Sequence, residues 1–366
     1  MLKLKREYIF QPLQIVIGVV ERRHTVPILS HVLIHIIQNK LTVIATDLEV
    51  ELSASVMLED TVPDITFTLP GRKLYDICKS LPEGAMIDFH FEEHKIIIKC
   101  NKSRFNLSRL VSDKFPVLEK ENIQVETDIT KESLHFLLEN TYFCMAQQDV
   151  RYYLNGMLLE CAPDKITAVS ADGHRMALAW QHYAMHVTEE KRVIMPRKGV
   201  SELMRLLSGS NSDQINLKVG NHHIHFSTAE FTLSSKLIDG KFPDYQRALP
   251  RKGDKTVIIQ KDLFKDLLQR VSILLDKNRS ILIELTENQL KAIVSNAEQE
   301  GAEEDITVEY VGEPLTLGFN VNYLSDLVTV IKSKTFQMTL SDSNTAVLVE
   351  EVENPQVLFL IMPMKI

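Results

Sequence analysis

The chain has no cysteine pair, no long apolar run and none of the short motifs that mark nucleotide chemistry or metal hydrolysis. Its four cysteines, Cys78, Cys100, Cys144 and Cys161, lie in no CxxC spacing, and none falls in the last third. They read as reduced thiols of a cytoplasmic protein, which excludes a disulfide framework. The longest apolar run of the N-terminus, Ile15 to Val20, is interrupted by Gly18, and nothing in the chain is long enough to span a bilayer. The basic N-terminus lacks the small-residue cleavage site of an exported protein. No GxxxxGKS/T phosphate loop, GxGxxG fingerprint, GxSxG elbow or HExxH pair occurs, so the common signatures of nucleotide-dependent, serine-hydrolase and zinc-protease chemistry are missing. An excess of cations is missing too, since the net charge is −8.

What the 366 residues do contain is a repeat. Amphipathic stretches open at Tyr8, Lys131 and Lys261. Strand-like segments then end at Thr46-Asp47, Ala171-Asp172 and Ser295-Asn296, spaced by 125 and 124 residues. A strand followed by a helix comes next, in TFTLPGRKLYDICKSLP from Thr66, RVIMPRKGVSELMRLL from Arg192 and LTLGFNVNYLSDLVTVI from Leu315. Phe115-Pro116 and Phe242-Pro243 close the first two thirds. So long a period is not that of a solenoid and reads as three copies of one domain, at 1–121, 122–247 and 248–366. Each third shows two helices with one apolar stripe, such as Leu134, Leu137, Leu138 and Thr141, or Leu324, Leu327, Val328 and Ile331. Short alternating segments surround them. The expected architecture is α+β, with two helices against antiparallel sheet three times over.

Charge is graded along the repeat: the thirds carry 0, −2 and −6. Much of the acid lies in the run Glu298 to Asp305, read either as a solvated loop or as an interface that wants a basic partner. His223 and His225 share a strand face, but no third ligand is near in sequence, so no metal site and no cofactor is expected. Asp172, His174 and Asp47 resemble an acid–base set. Because Asp172 repeats as Asp47 and as Asn296, a role at a strand end fits it better than catalysis.

Basic residues stand at helix starts. Arg72-Lys73 and Arg197-Lys198 follow Pro70 and Pro196, where helix N-termini already attract anions. Two cations there are unfavourable for the helix alone and make sense opposite a phosphate backbone. Arg22, Arg23, His24, Gln148, Arg151, Tyr152 and Tyr153, in the segments after the first helices, would add cationic and aromatic groups to that face.

Longer motifs then bring a family into view. QQDVRYYLNGML from Gln147, ADGHRMA from Ala171, PRKGVSELMRLL from Pro196, SSKLIDGKFPDYQRALP from Ser234 and the terminal MPMKI resemble the bacterial DNA polymerase III beta subunit family, the replicative sliding clamps, end to end. The resemblance implies a homodimeric ring of six similar domains around double-stranded DNA, with no reaction chemistry and no sequence-specific readout. It implies tethering of the replicative DNA polymerase catalytic subunit. The clamp loader, other DNA polymerases and repair proteins would bind through the same short peptide motif.

By the same resemblance, Lys102, Arg104, Phe105 and Leu107 match the family's interface strand. Ile273, Leu274, Glu298, Glu300, Glu303 and Glu304 match the opposite face. The client-peptide cleft falls on Leu154, Gly173, His174, Arg175, Met176 and Pro243, together with Arg247, Tyr323, Val347, Met362, Pro363 and Met364. Ala171, Met176, Ala248, Lys365 and Ile366 stand where the family usually has Thr, Leu, Val, Arg and Leu, which bears on fine peptide preference. Two readings of other classes stay open. A nuclease using Asp172, His174 and Asp47 would turn over DNA with divalent metal, and a sequence-reading module would need helix-turn-helix or zinc-finger spacing.

Overall fold

The computed structural model describes residues 1–21, 26–119, 121–184, 187, 190–250, 255–275 and 279–365. Six α-helices run over Arg6–Val16 (α1), Gly71–Ser80 (α2), Lys131–Thr141 (α3), Arg197–Gly209 (α4), Lys261–Val271 (α5) and Val321–Val330 (α6), two in each third. Each starts at the residue after a strand ends. The stop is chemical: Pro70 and Pro196 close their strands because proline has no N–H to continue the ladder, and its fixed φ suits entry into a helix. In the last third Asn320 does this instead, its side chain accepting the Asn322 N–H at 3.0 Å.

The apolar stripes expected on the helices are the faces that become core. Leu134, Leu137, Leu138 and Thr141 of α3 are buried, as are Leu324, Leu327 and Val328 of α6 and the following Ile331. On α4 the spacing predicts Val200, Leu203, Met204 and Leu207, and the buried face differs from it by one residue. Met204 is half-buried, while Leu206 sits beside Leu203 and Leu207 at the i+3 and i+4 spacing and takes the core position.

The chain packs into two compact units, 1–132 with 198–237 and 133–197 with 238–366, so the middle third is divided between them. The expected three-way division therefore describes the repeat rather than the units of compaction. The reason is sheet continuity. In the first unit, Val50–Met57 of the first third pairs antiparallel with Phe231–Lys236 of the second, Val50 opposite Ser235 and Leu52 opposite Leu233. One eight-stranded sheet results, beside a four-stranded one. In the second unit, Arg175–His182 of the middle third pairs with Asn354–Ile361 of the last, Met176 opposite Leu360, and a nine-stranded sheet runs through the seam. Its four-stranded companion ends on Gly301–Thr307.

Two edges are left. Among the described strands, Ser103–Ser108 pairs only with Lys95–Cys100, and Gly301–Thr307 only with Gln289–Ser295. No described helix is long and apolar enough to cross a membrane.

Candidate functional site

The second unit carries a mostly apolar cleft of about 250 Å3. Its geometry starts at Asp172, which ends one strand and whose Oδ1 accepts the N–H groups of His174 and Arg175, both at 2.9 Å. Gly173 between them has φ +87°, and the turn pushes His174 outward while the next strand carries Met176 into the floor. The segment Phe242, Pro243, Asp244 and Tyr245 forms one wall and the C-terminal strand, through Leu360 and Met362, another. Leu154, Met176, Tyr245 and Leu360 are all buried and pack into one apolar cluster beneath. Ala171, Ala248 and Ala346 line the same space with the smallest apolar side chain. A larger groove, about 700 Å3 in the first unit, is lined by Gln11, Gln14, Arg205, Asn211 and Glu230 among others. Its polar walls lack the convergent apolar surface of a ligand pocket, so the smaller cleft is the stronger candidate.

The cleft's cations are not equivalent. Arg175 is held on three sides: Nε donates to Asp172 at 3.1 Å, Nη1 to Asp326 at 2.7 Å and Nη2 to the Phe143 carbonyl at 3.0 Å. Its guanidinium also lies 4.5 Å from the Tyr323 ring centroid, and the Tyr323 ring in turn stacks on His174. Arg175 thus stiffens the rim, with three of its five N–H donors already committed within the protein. Arg151, expected in the DNA-facing set, belongs to the cleft. It makes a two-pronged contact with Asp149 at 3.0 and 2.8 Å and donates to the Asp172 carbonyl at 3.2 Å. The hydrogen bond from Arg151 holds the Asp149 carboxyl down at about 2. Arg247 is 84% exposed and pairs with Asp244 at 2.9 Å.

Of the expected cleft residues, the structure brings Leu154, Gly173, His174, Arg175, Met176, Pro243 and Met362 into the lining. Val347 is buried in its strand, and Tyr323 acts from behind His174. Met364 is tied by its N–H to the Gly318 carbonyl at 2.8 Å. Neither these nor Pro363 or Arg247 line the cavity. Sequence reasoning missed Phe242, Asp244, Tyr245, Ala346 and Leu360. The Phe-Pro repeat was the signal for the first three. Ile366 lies outside the described residues, and Lys365 is exposed.

The basic helix starts come out differently from their expected equivalence. Because α2 begins at Gly71 and α4 at Arg197, Arg72 corresponds to Lys198, one residue out of the assumed register. Arg72 donates twice to the Val20 carbonyl, at 3.0 and 2.7 Å. Arg197 donates to the Met145 carbonyl at 2.7 Å and covers the Tyr142 ring at 4.7 Å. Both arginines bolt a second helix to the loop after a first helix. Lys198 pairs with Glu21 at 3.1 Å and with Asp47 in a closer contact. Burial works against its charge, but the two carboxylates outweigh that and raise its pKa. Lys73, Gln148 and Tyr152 are exposed, and Tyr153 lines the cleft. Arg22, Arg23 and His24 lie outside the described residues.

At the free edges, Lys102 and Arg104 are exposed and Phe105 is half-buried, but Leu107 is only 6% exposed. It shares the inward face with Phe105 by strand alternation and is buried within its own chain. On the other edge Ile273 is 78% exposed, with Leu274 half-buried beside it. Glu298 and Glu300 are exposed. Glu303 pairs with Lys291 at 2.5 Å, and Glu304 takes Arg270 Nε at 2.8 Å.

The remaining acid–base residues are architectural. Asp47 Oδ1 accepts Glu49 N–H at 2.9 Å and Val50 N–H at 2.7 Å, as Asp172 does at its own strand end. Asn296 accepts the Glu300 N–H at 2.9 Å. His223 and His225 stand 3.1 and 3.9 Å from Glu121 Oε1, a carboxylate that the sequence did not place there. Among the described residues no group of three His, Cys, Asp or Glu has the geometry of a metal site.

The three thirds match three family models in turn: the DNA polymerase III beta subunit N-terminal domain over 1–119, its central domain over 128–244 and its C-terminal domain over 246–365. The beta sliding clamp of Pseudomonas putida is 45% identical over 364 residues, covering 99% of both chains. That of Escherichia coli is 38% identical with the same coverage. The crystal structure of the DNA polymerase III subunit beta from Pseudomonas aeruginosa superimposes with a TM-score of 0.96 at 44% identity, over 100% of this chain and 99% of that one. With the turn carboxylates, the two seams and the cleft all in place, the chain belongs to the DNA polymerase III beta subunit family, the beta sliding clamps.

Proposed function

We propose that two copies of this chain close into a ring around duplex DNA and hold the replicative polymerase on its template. The protein is a processivity factor without reaction chemistry, and its work is done by topology and by docking. The observation that carries ring closure is the pair of free edges. Within the chain, the last strand of one third's first sheet twice continues into the final strand of the next third, at Val50–Met57 with Phe231–Lys236 and at Arg175–His182 with Asn354–Ile361. Among the described strands the third such strand, Gly301–Thr307, and the first such partner, Ser103–Ser108, have no seam partner within the chain. Pairing them between two chains repeats the same seam head to tail and covers both of these edges. Lys102 and Arg104 on one edge suit Glu298, Glu300 and Glu303 on the other.

The domains of the ring correspond to 1–121, 122–247 and 248–366. Arg72, Lys73 and Lys198 in the first unit and Arg197 in the second supply local positive charge for DNA-facing surfaces, with Gln148 and Tyr152 exposed near Arg197's loop in sequence. Contacts to phosphates alone let the ring slide without reading sequence. The cleft takes an extended client peptide, with apolar anchors on Leu154, Met176, Pro243 and Met362, and His174 and Arg247 at its mouth. Clamp loader, polymerases and repair proteins would compete for it. The expected location is the cytoplasm.

The deciding experiment is mass in solution coupled to retention on DNA. A dimer retained on closed circular duplex and lost from linear duplex supports the ring. A monomer, or equal retention on both, overturns it.

A further inference from the structure

Behind the cleft wall lies a buried charge that the cleft itself does not use. Glu160, on Gly156–Ala162, is 5% exposed. Its Oε2 accepts the Tyr245 hydroxyl at 2.6 Å. Across the sheet, in register with it, stands Arg192. Arg192 Nε lies 2.9 Å from Glu160 Oε1 while directing its N–H to Glu190 at 3.0 Å, so the contact with Glu160 is an ion pair rather than an aligned hydrogen bond. Burial and the Glu160 carboxylate together push the Tyr245 hydroxyl well above its ordinary pKa, so it stays protonated and acts as the donor.

Such an arrangement is costly as architecture. A buried carboxylate with an ion-pair partner is commonly no more stable than well-packed apolar side chains of the same volume. The repeat supplies the comparison within one chain. At the same register in the first third stands His35, opposite Thr42 and Thr66 as Glu160 stands opposite Thr167 and Arg192. Leu118, three residues after Phe115, holds the place of Tyr245, three after Phe242. That copy has the strands and turn but not the carboxylate–phenol pair. In the last third Glu284 stands at the same register, opposite Lys291 and Thr316, and is only half-buried. The buried carboxylate with its phenol and arginine belongs to the copy that carries the cleft.

We propose that Glu160 is a positioning residue for client binding: with Arg192 it fixes the Tyr245 ring and so sets the shape of the cleft's inner wall for an apolar peptide side chain. The inference rests on the reading of this cleft as the client-peptide site. Glu160 touches no peptide. It acts through the phenol, which swings free once its acceptor is gone, and a wall that must be re-ordered on binding weakens affinity.

The test uses the full-length protein and a fluorescein-labelled peptide from the replicative polymerase catalytic subunit, read by anisotropy. Glu160→Leu, which replaces a buried charge with an apolar side chain of similar size and should fold, is expected to weaken binding about tenfold. Glu160→Gln keeps a carbonyl oxygen for the phenol and should bind within about threefold of the parent. In a Tyr245→Phe background, Glu160→Leu should have no further effect. The proposal falls if Glu160→Leu binds like the parent, if Glu160→Gln is as weak as Glu160→Leu, or if the loss is undiminished beside Phe at 245. Deleting Met362 to Ile366 separates the two layers. If that deletion abolishes binding while Glu160→Leu does nothing, the cleft stands and the positioning role fails. If the deletion is also silent, both fail.

Discussion

The guanidinium of Arg151 occupies the space that a β-carbon on Gly173 would need: such an atom would sit 2.6 Å from Nη2 and 2.7 Å from Nη1. Gly173 also holds φ at +87°, where an L side chain is strained. Gly173→Ala should therefore do two separable things. The strain should lower stability by about 1–2 kcal/mol, visible as a lower urea midpoint. The displaced Arg151 should open the mouth of the cleft and weaken client-peptide binding several-fold. A variant that loses stability but binds peptide unchanged would remove Arg151 from the site.

The C-terminal residues make a second case. The Met362 N–H donates to the His174 carbonyl and the Met364 N–H to the Gly318 carbonyl, both at 2.8 Å, and Met362 lines the cavity. Removing Met362 to Ile366 takes away one wall and the two bonds that hold it. Binding of a polymerase-derived peptide, followed by fluorescence anisotropy, should be abolished and the gain in processivity lost, with the ring still dimeric. Full-strength binding by the truncated chain would place the peptide elsewhere.

The helices and the repeat were legible because they rest on local periodicity, and Asp47, Asp172 and Asn296 could be read as turn residues because they recur. The seams were not, since pairing Leu52 with Leu233 joins residues far apart in sequence. For the same reason Lys198 looked like a free cation. Its partners Glu21 and Asp47 come from the first third, and only the fold brings them to it. Leu107 was assigned to an interface by resemblance alone, and its burial within its own chain depends on long-range packing that no local pattern shows.

Lys198 gives a prediction that separates fold from DNA contact. Asp47 is nearly fully buried, so Lys198→Ala strands a carboxylate. Since Lys198 itself is over a third exposed, the cost is discounted to about 2 kcal/mol rather than that of a fully buried pair. Its pKa is raised above the ordinary 10.5. The stabilisation is thus fully present below that value and is lost as pH rises through the folded one. Denaturant titrations of parent and variant should differ by a constant amount near neutral pH and converge only in strong alkali. A gap that closes near neutrality would show that Lys198 and its carboxylates are not the source.

The free edges give the last. If Gly301–Thr307 of one chain meets Ser103–Ser108 of another, the exposed Ile273 and its half-buried neighbour Leu274, in the turn after α5, are the proposed apolar anchors of that contact. Truncating such anchors commonly costs about 2–4 kcal/mol of association, enough at micromolar protein to give monomers by light scattering. Ile273→Ala with Leu274→Ala should do this with little change in unfolding temperature. Leu107→Ala should do the opposite. That side chain is buried within its own protomer, so its loss should cost about 2–5 kcal/mol of folding stability through the cavity it leaves, while the protein that remains folded stays dimeric. If the Ile273 and Leu274 variant stays fully dimeric, or if Leu107→Ala dissociates the ring without destabilising the fold, the seam between chains has been drawn through the wrong strands.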